Sequence, residues 1–499
     1  MTIVIGIDQG TTNTKAVAVD AAGRLLPSAA RPLATHAPQP GWVEQDPRQM
    51  LANVVDCVRE VLAAAGDTAI AGLGIANQTE TLVVWDRHTG EPVMPAIVWQ
   101  CRRGDAELQE LRNDRTLALI RGKTGLDLDP TFTAGKLRWL FRNRPDIAEG
   151  LRRGDYLFGT VDCWLIWKLT DGEVHATDSG NAARTMLFDI NRLAWDPELL
   201  DLFELSIAHL PEARRSTGPF GQTGAALFGR PISITAALGD QQASLFGHGC
   251  FEPSAIKATY GTGAFIWLNA GSRPDIAAGD GLLRTVAWHL DGPCYALEGF
   301  VMYAGAILEW LATQLSIPGG GIGVVEQAQQ VGSSGGVILV PAFQGLAGPW
   351  WRPDARAALL GMTGSTTAGH ICHAGLEAIC FQLRVLLDAI AQSTGRRLEI
   401  LRVDGGPTRS TYLMQLQADI LQLPLAVSAF DSVTPYGAAL MAGLGAGLWQ
   451  NLDQLCAAMP PPTLVAPNPA TAEHWAAMYN AWRATTDAIL SLPSSASGK

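Results

Sequence analysis

Residues 3–20 read IVIGIDQGTTNTKAVAVD, and the reading of this stretch decides what the rest of the chain is for. The apolar run Ile3, Val4, Ile5 and Ile7 predicts a buried strand that ends at Asp8, and a second apolar run covers residues 16–19. Between them stand Gly10, Thr11 and Thr12, so the segment reads as a hairpin with a functional tip. Gly10 lets backbone approach a ligand, Thr11, Thr12 and Thr14 offer hydroxyls, turn N–H groups cradle an anion, and Lys15 adds positive charge. A phosphate suits such a tip. Asp8, leaving the core at a strand end, suits a hydrated magnesium ion, which needs only one or two protein carboxylates. An ordinary hairpin whose threonines satisfy their own turn fits the segment as well. A second copy favours the functional reading: residues 256–269, IKATYGTGAFIWLN, set Gly261, Thr262 and Gly263 between two more apolar runs. One tip in each half points to a duplicated domain closing on a single polyphosphate.

A chain of 499 residues exceeds what one core organises, and the expected division is residues 1–249 and 250–499. The net charge of −11, without any run of Lys and Arg, speaks against a nucleic-acid partner. Eight scattered cysteines with no C-x-x-C pair read as reduced thiols of a cytoplasmic protein. No basic segment precedes the first apolar run, which Asp8 interrupts, so it does not read as a secretion signal. Residues 438–449 are too short and glycine-rich to span a bilayer, so no membrane partner is expected.

Asp46-Pro47 and Asp196-Pro197 mark helix starts, the first opening an amphipathic helix that Gly66 stops. Further helices are expected over 133–142, 160–169, 303–311, 367–392, 410–421 and 473–490, and a short one after Gly239. Strands are expected over 69–76, 81–85, 93–99, 232–238 and 398–403, with loops over 218–230 and 344–356 and a glycine-rich bend over 318–323. His370, Cys372 and His373 read as structural rather than as metal ligands, Trp350 and Trp351 as loop packing, Met414 and Leu416 as core, and SSASGK as a disordered tail. The small residues of 436–447 read as a closely packed helix.

The ordered set of short stretches resembles the FGGY carbohydrate kinase family nearly end to end, the glycerol kinase pattern above all. It comprises DQGTT at Asp8, PQPGWVEQDP at Pro38, GIANQTET at Gly74, AIVWQCRR at Ala96, FGTVDCWLIWKLTDGEVHATD at Phe158 and GDQQASLFG at Gly239. It continues with TYGTG at Thr259, YALEG at Tyr295, VPAFQGLAGPWW at Val340, LRVDGG at Leu401 and YGAALMAGL at Tyr436. The resemblance implies an α/β fold of two actin/hexokinase/Hsp70-type (ribonuclease H-like) domains around a cleft for ATP and substrate. It implies transfer of the γ-phosphoryl group of ATP to a terminal hydroxyl of a small polyol or sugar, with Mg2+, in a homodimer or homotetramer.

By the same resemblance Asp240 is the catalytic base, expected to stay ionised at a helix N-terminus, and with Asp8 it lies beside the metal. Glu80, Trp99, Asp240, Gln241 and Phe265 match the polyol site, with Thr79 and Thr131 at two further positions of its wall. Gly10, Thr11, Thr12, Lys15 and Thr262 match the phosphate grip, and Gly305, Glu309, Gly406 and Ser410 the adenosine side. Glycerol kinases carry arginine where this chain has Thr79 and tyrosine where it has Thr131, so a roomier pocket for a four- or five-carbon polyol or a ketopentose is expected. Lys15 stands in for an arginine and Ser410 for an asparagine. An actin-like or Hsp70-like ATPase switch is the other class the fold would permit.

Overall fold

The computed structural model describes residues 2–273, 281–352 and 354–491; the SSASGK tail lies outside them. The opening stretch folds as expected, into the antiparallel hairpin of β1 (Thr2–Gln9) and β2 (Asn13–Asp20), which β3 (Leu25–Pro32) extends. α1 (Pro47–Ala65), whose N-cap Asp46 accepts the Arg48 N–H, supplies the crossover that a parallel neighbour requires. The chain then enters β4 (Ala69–Asn77), parallel to β1. A long excursion containing α2 (Thr133–Asn143) and α3 (Val161–Leu169) returns through β5 (Ile234–Gly239), parallel to β4, directly into α4 (Asp240–Gly247). The sheet order is β3-β2-β1-β4-β5.

The second half repeats the plan. β6 (Ile256–Tyr260) and β7 (Ala264–Gly271) form its hairpin, and β8 (Leu283–His289) and β9 (Pro293–Val301) extend it antiparallel. After α5 (Gly305–Gln314), α6 (Gly320–Val331) and the buried α7 (Ala368–Thr394), β10 (Leu401–Gly405) pairs parallel with β6. Next come α8 (Thr411–Leu421), β11 (Leu425–Val427), parallel to β10, then α9 (Val433–Gly445), β12 (Thr463–Val465) and α10 (Ala472–Ser491). Within this sheet the run β9-β7-β6-β10-β11 reproduces the order of the first, so the duplication read from the two tips holds at the level of topology.

The halves interlock through α9, which crosses to lie on β1, β2, β4 and β5 and against α4. Glycines make that approach possible. A Cβ at Gly6 would sit 1.9 Å from the Pro435 carbonyl oxygen, one at Gly74 2.2 Å from that of Ala438, and one at Gly437 1.9 Å from that of Ala243. The small residues of 436–447 therefore serve close packing, as expected, and Met414 and Leu416 lie in the core.

Several boundaries differ from the sequence reading. The strand expected over 93–99 shrinks to Ala96–Ile97, because Pro92 and Pro95 remove ladder donors, and the one expected over 81–85 becomes Val83–Asp86. β10 begins three residues later than expected and ends two residues later, at Gly405, and the later end carries Asp404 into the sheet. The helix expected over 196–205 is Pro197–Leu202, and the glycine-rich bend at 318–323 is in fact the start of α6, whose Gly321 N–H donates to the Glu309 carboxylate at 3.2 Å. No helix among the described residues is long and apolar enough to cross a membrane.

Candidate active site

The parallel strands β1, β4 and β5 bring their C-terminal ends to one edge of the first sheet, the edge where open α/β sheets meet ligands. From these ends come Asp8, the segment Gln78-Thr79-Glu80, and Asp240. Asp8 is half-buried, and its Oδ1 atom is enclosed without a hydrogen-bond partner. Burial raises its carboxyl to about 6, and Lys15, its register partner on β2, offsets part of the shift.

Asp240 opens α4, and the Gln241 N–H donates to its Oδ1 at 2.7 Å. The helix start that favours its ionised form is opposed by burial first, then by the charges of Asp8 and Glu80, which raise it to about 7 against the weaker pull of that N–H and of Lys257. Two mutually repelling carboxyls, one with an orphaned buried oxygen, are a donor set that fits a hydrated divalent cation. Among the described residues no group of three or more His, Cys, Asp or Glu is placed to hold a metal ion.

The other residues expected to line a polyol site are tightly bonded. Glu80 sits in left-handed backbone (φ 64°), its Oε2 accepting from the Thr79 hydroxyl at 2.6 Å and its Oε1 from Arg184 Nε at 2.6 Å. The Thr79 hydroxyl thus commits its proton to Glu80 and is left to meet a substrate as an acceptor. Trp99 Nε1 donates to the Thr11 hydroxyl at 2.9 Å, so Thr11 belongs to the wall as well as to the tip. Half-buried Thr131 offers its carbonyl to Lys136 Nζ, as does Pro130 at 3.0 Å; Lys136 is fully enclosed, and burial lowers it to about 7. Gln241 Oε1 accepts from Lys257 Nζ at 2.5 Å, which leaves the Gln241 amide N–H2 as the group able to face a substrate. Phe265 stacks on Phe300 with centroids 4.6 Å apart.

Thr262 and the residues expected on the adenosine side gather on the second sheet. The Thr262 carbonyl accepts the N–H groups of Ala304 (2.9 Å) and Ala306 (3.0 Å), and Gly305 N–H donates to Gly261 at 3.0 Å. A Cβ at Gly305 would meet that Gly261 oxygen at 2.5 Å and lie 3.7 Å from Pro407, so the Gly261–Gly263 tip, Gly305 and the turn after Gly406 share one shelf. Ser410 and Glu309 flank it with their side chains already occupied, Ser410 capping α8 through the Leu413 N–H at 3.1 Å and Glu309 holding the start of α6. On the first hairpin, Thr12 and Asn13 are the exposed positions of the tip, while Gly10, Thr11 and Lys15 are half-buried.

A buried polar chain that motif reading did not single out joins the two sides. Lys257 also donates to the Thr259 hydroxyl (2.8 Å), Thr259 donates to Asp404 (2.6 Å), and His248 Nε2 lies 3.2 Å from the same carboxylate. Burial opposes the charge on Asp404, yet His248, Lys257 and Thr259 hold it below the usual carboxylate range. The available signal was a lone charge inside an apolar run, as at Lys257 and Glu298. The histidines read as structural are so: His370 Nδ1 accepts the Thr367 N–H at the start of α7, and His373 lies between Glu377 (2.8 Å) and Tyr412 (3.0 Å). Trp350 packs near Trp482 at 6.1 Å.

The chain belongs to the FGGY family of carbohydrate kinases: the family's N-terminal domain matches residues 3–247 and its C-terminal domain residues 256–446. It is an ATP-dependent carbohydrate kinase, a phosphotransferase with an alcohol group as acceptor. It is similar to the glycerol kinase of Citrifermentans bemidjiense, 47% identical over 453 residues that cover 90% of this chain and 91% of that protein. The structure of Plasmodium falciparum glycerol kinase with ADP superposes with a TM-score of 0.90 at 33% identity, covering 97% of this chain and 98% of the other. A gluconate kinase from Lactobacillus acidophilus shares the fold (TM-score 0.89, 22% identity, 98% of each chain).

Proposed function

We propose that the protein transfers the γ-phosphoryl group of ATP to a terminal hydroxyl of a small polyol, as a glycerol kinase-like enzyme whose altered pocket favours a four- or five-carbon acceptor. The observation that carries the reading is the pair Asp8, at the end of β1, and Asp240, just past the end of β5, on either side of the β4 end that leads to Glu80, one oxygen orphaned and both carboxyls raised. Asp240 takes the proton of the attacking hydroxyl, and a carboxyl raised to about 7 is a better acceptor near neutral pH than an ordinary aspartate. Gln241 donates its amide N–H to the acceptor, held in that sense by Lys257, and Glu80 accepts from a second hydroxyl while Trp99, Phe265, Thr79 and Thr131 shape the wall. Magnesium, when bound at Asp8 and Asp240, supplies charge neutralisation for the phosphates. Because phosphoryl transfer runs through a loose transition state, positioning dominates. Gly10, Thr11, Thr12, Lys15 and Thr262 hold the phosphate chain, and Gly305, Glu309, Gly406 and Ser410 the adenosine.

In this reading residues 1–249 carry acceptor and base and residues 250–499 the nucleotide, in a cytoplasmic homodimer or homotetramer; eight unbridged cysteines support a reducing compartment. The acceptor assignment is supported by the absence of the arginine and tyrosine at Thr79 and Thr131, and glycerol itself is supported by the names of the similar proteins. A panel of glycerol, erythritol, threitol, the pentitols and ketopentoses, followed by coupled ADP release, tests it. Polyol-stimulated release with a longer acceptor ahead of glycerol is expected. Preference for glycerol would remove the altered-pocket reading, and indifference to every acceptor would favour an ATPase switch.

A further inference from the structure

Glu80 adopts a backbone conformation that a non-glycine residue keeps only when its surroundings hold it there. Its carbonyl accepts from Thr133 at 3.1 Å, and its carboxylate is gripped by Thr79 and by Arg184 Nε. The same guanidinium continues through NH1 to Glu298 Oε2, also at 2.6 Å. Arg184 and Glu80 belong to the first half. Glu298 lies on β9 of the second sheet, in register with Trp267, and the guanidinium lies 5.8 Å from the Trp267 ring and 5.3 Å from that of Phe132. All three charged side chains are at most 7% exposed. Burial works against the charge of Arg184, but Glu298 and Glu80 more than offset it and hold it above its ordinary value. A rigid fork that satisfies two carboxylates in two directions is what a lysine cannot supply.

A buried ion triad of this kind is a poor stabiliser for its own sake, since apolar side chains would close the same seam at no cost in desolvation. Its distinguishing property is which groups it joins: a carboxylate of the acceptor wall and a carboxylate of the sheet that carries the nucleotide shelf. We propose that Arg184 is a positioning residue that makes the orientation of Glu80 depend on the second half being seated against the first. Polyol binding and nucleotide binding therefore reinforce each other. The inference rests on the assignment of Glu80 to the polyol site made above. By linkage the reinforcement is reciprocal, so it is measurable from either ligand.

The test is calorimetric titration of glycerol, with erythritol in parallel, into the full-length protein with and without a non-hydrolysable ATP analogue and magnesium. It is combined with KM and kcat for both substrates. Glu298→Gln keeps the shape and an acceptor oxygen but removes the charge, and Arg184→Lys keeps the charge but removes the fork. In the unmodified protein the analogue tightens polyol binding about tenfold, within the usual range of such coupling. In Glu298→Gln that factor falls towards one and polyol KM rises about tenfold, with ATP KM changed less than twofold; in Arg184→Lys polyol KM rises in the same way. Unchanged coupling and polyol KM in a folded Glu298→Gln protein overturns the proposal, as does a fall in kcat with neither KM altered. Glu80→Gln separates the two levels of inference: if it leaves polyol KM untouched, or if the unmodified protein binds neither polyol, the acceptor-site assignment has failed. A loss at Glu80 without one at Glu298 breaks the coupling alone.

Discussion

The hairpins that open the two halves share a strand order and differ in what they do with charge. Two residues before the tip glycine of the first stands Asp8, with an oxygen that nothing in the protein satisfies; the same place in the second holds Thr259, bonded to Lys257, Ser244 and Asp404. Four residues before the tip glycines the pair is Gly6, bare so that α9 can lie on the strand, and Lys257, which fills the space towards Gln241. One duplicated frame has thus become a charged edge that waits for a partner and a self-satisfied shelf that needs none. Polar groups left orphaned in a buried edge cost free energy, so they persist where a ligand repays the cost; a shelf that only presents backbone is best closed on itself.

Removing the charge where the comparison is most extreme should have the largest effect. Asp240→Asn is expected to lower turnover by about 10³-fold while ADP binding, measured by calorimetry, changes little; retained turnover would mean that the base has been misassigned. Asp8→Asn should lose roughly 10²-fold in rate and shift the magnesium titration to higher concentration, whereas Thr259→Val on the second hairpin should leave the magnesium requirement alone. If both variants responded alike, the contrast between the hairpins would collapse.

Gly6→Ala probes the seam beneath the first hairpin: overpacking against the Pro435 carbonyl should cost about 2 kcal/mol, read as a lowered denaturation midpoint. The pH dependence of kcat/KM, which reports free enzyme, sharpens the electrostatic side. A base raised to about 7 is protonated below that pH, so the rate should fall about tenfold per unit on the acid side, and Asp8→Asn should move that limb to lower pH by removing a like charge. The smallest effect is in selectivity. Thr79→Arg with Thr131→Tyr should raise glycerol over erythritol by roughly tenfold, and an unchanged ratio would discard the roomy pocket.

Sequence sufficed for the hairpins because paired apolar runs on either side of a glycine tip leave little choice of element, and Asp46-Pro47 announced α1. β8 and β9 were passed over although Asp291-Gly292 marks the turn between them, and their place in the sheet is set by register with β7. Nor did sequence reveal α6, whose start at Gly320 reads as a bend until the Glu309 carboxylate is seen to hold the Gly321 N–H. In the candidate site, motif identity named Asp8, Glu80, Asp240 and Gln241, but not the burial that raises the Asp240 carboxyl or the prior engagement of Thr79 and Ser410. Those are properties of neighbours brought together from far along the chain. Arg184, Lys257 and Asp404 escaped for the same reason, since spacing along a strand says nothing of which carboxylate lies across the cleft.

The passage of α9 from the second half onto the first sheet has a consequence for how the protein comes into being. The face bearing Gly6 and Gly74 is covered only when Val433–Gly445 arrives, about two hundred residues after β5 has been made, and at ribosomal speed that is a delay on the order of ten seconds or more. The nascent amino-terminal portion must survive this interval with an apolar surface in water. The end of the message therefore decides whether its first half is rescued from aggregation, and no cut near Gly249 would yield two pieces that each keep their own roof.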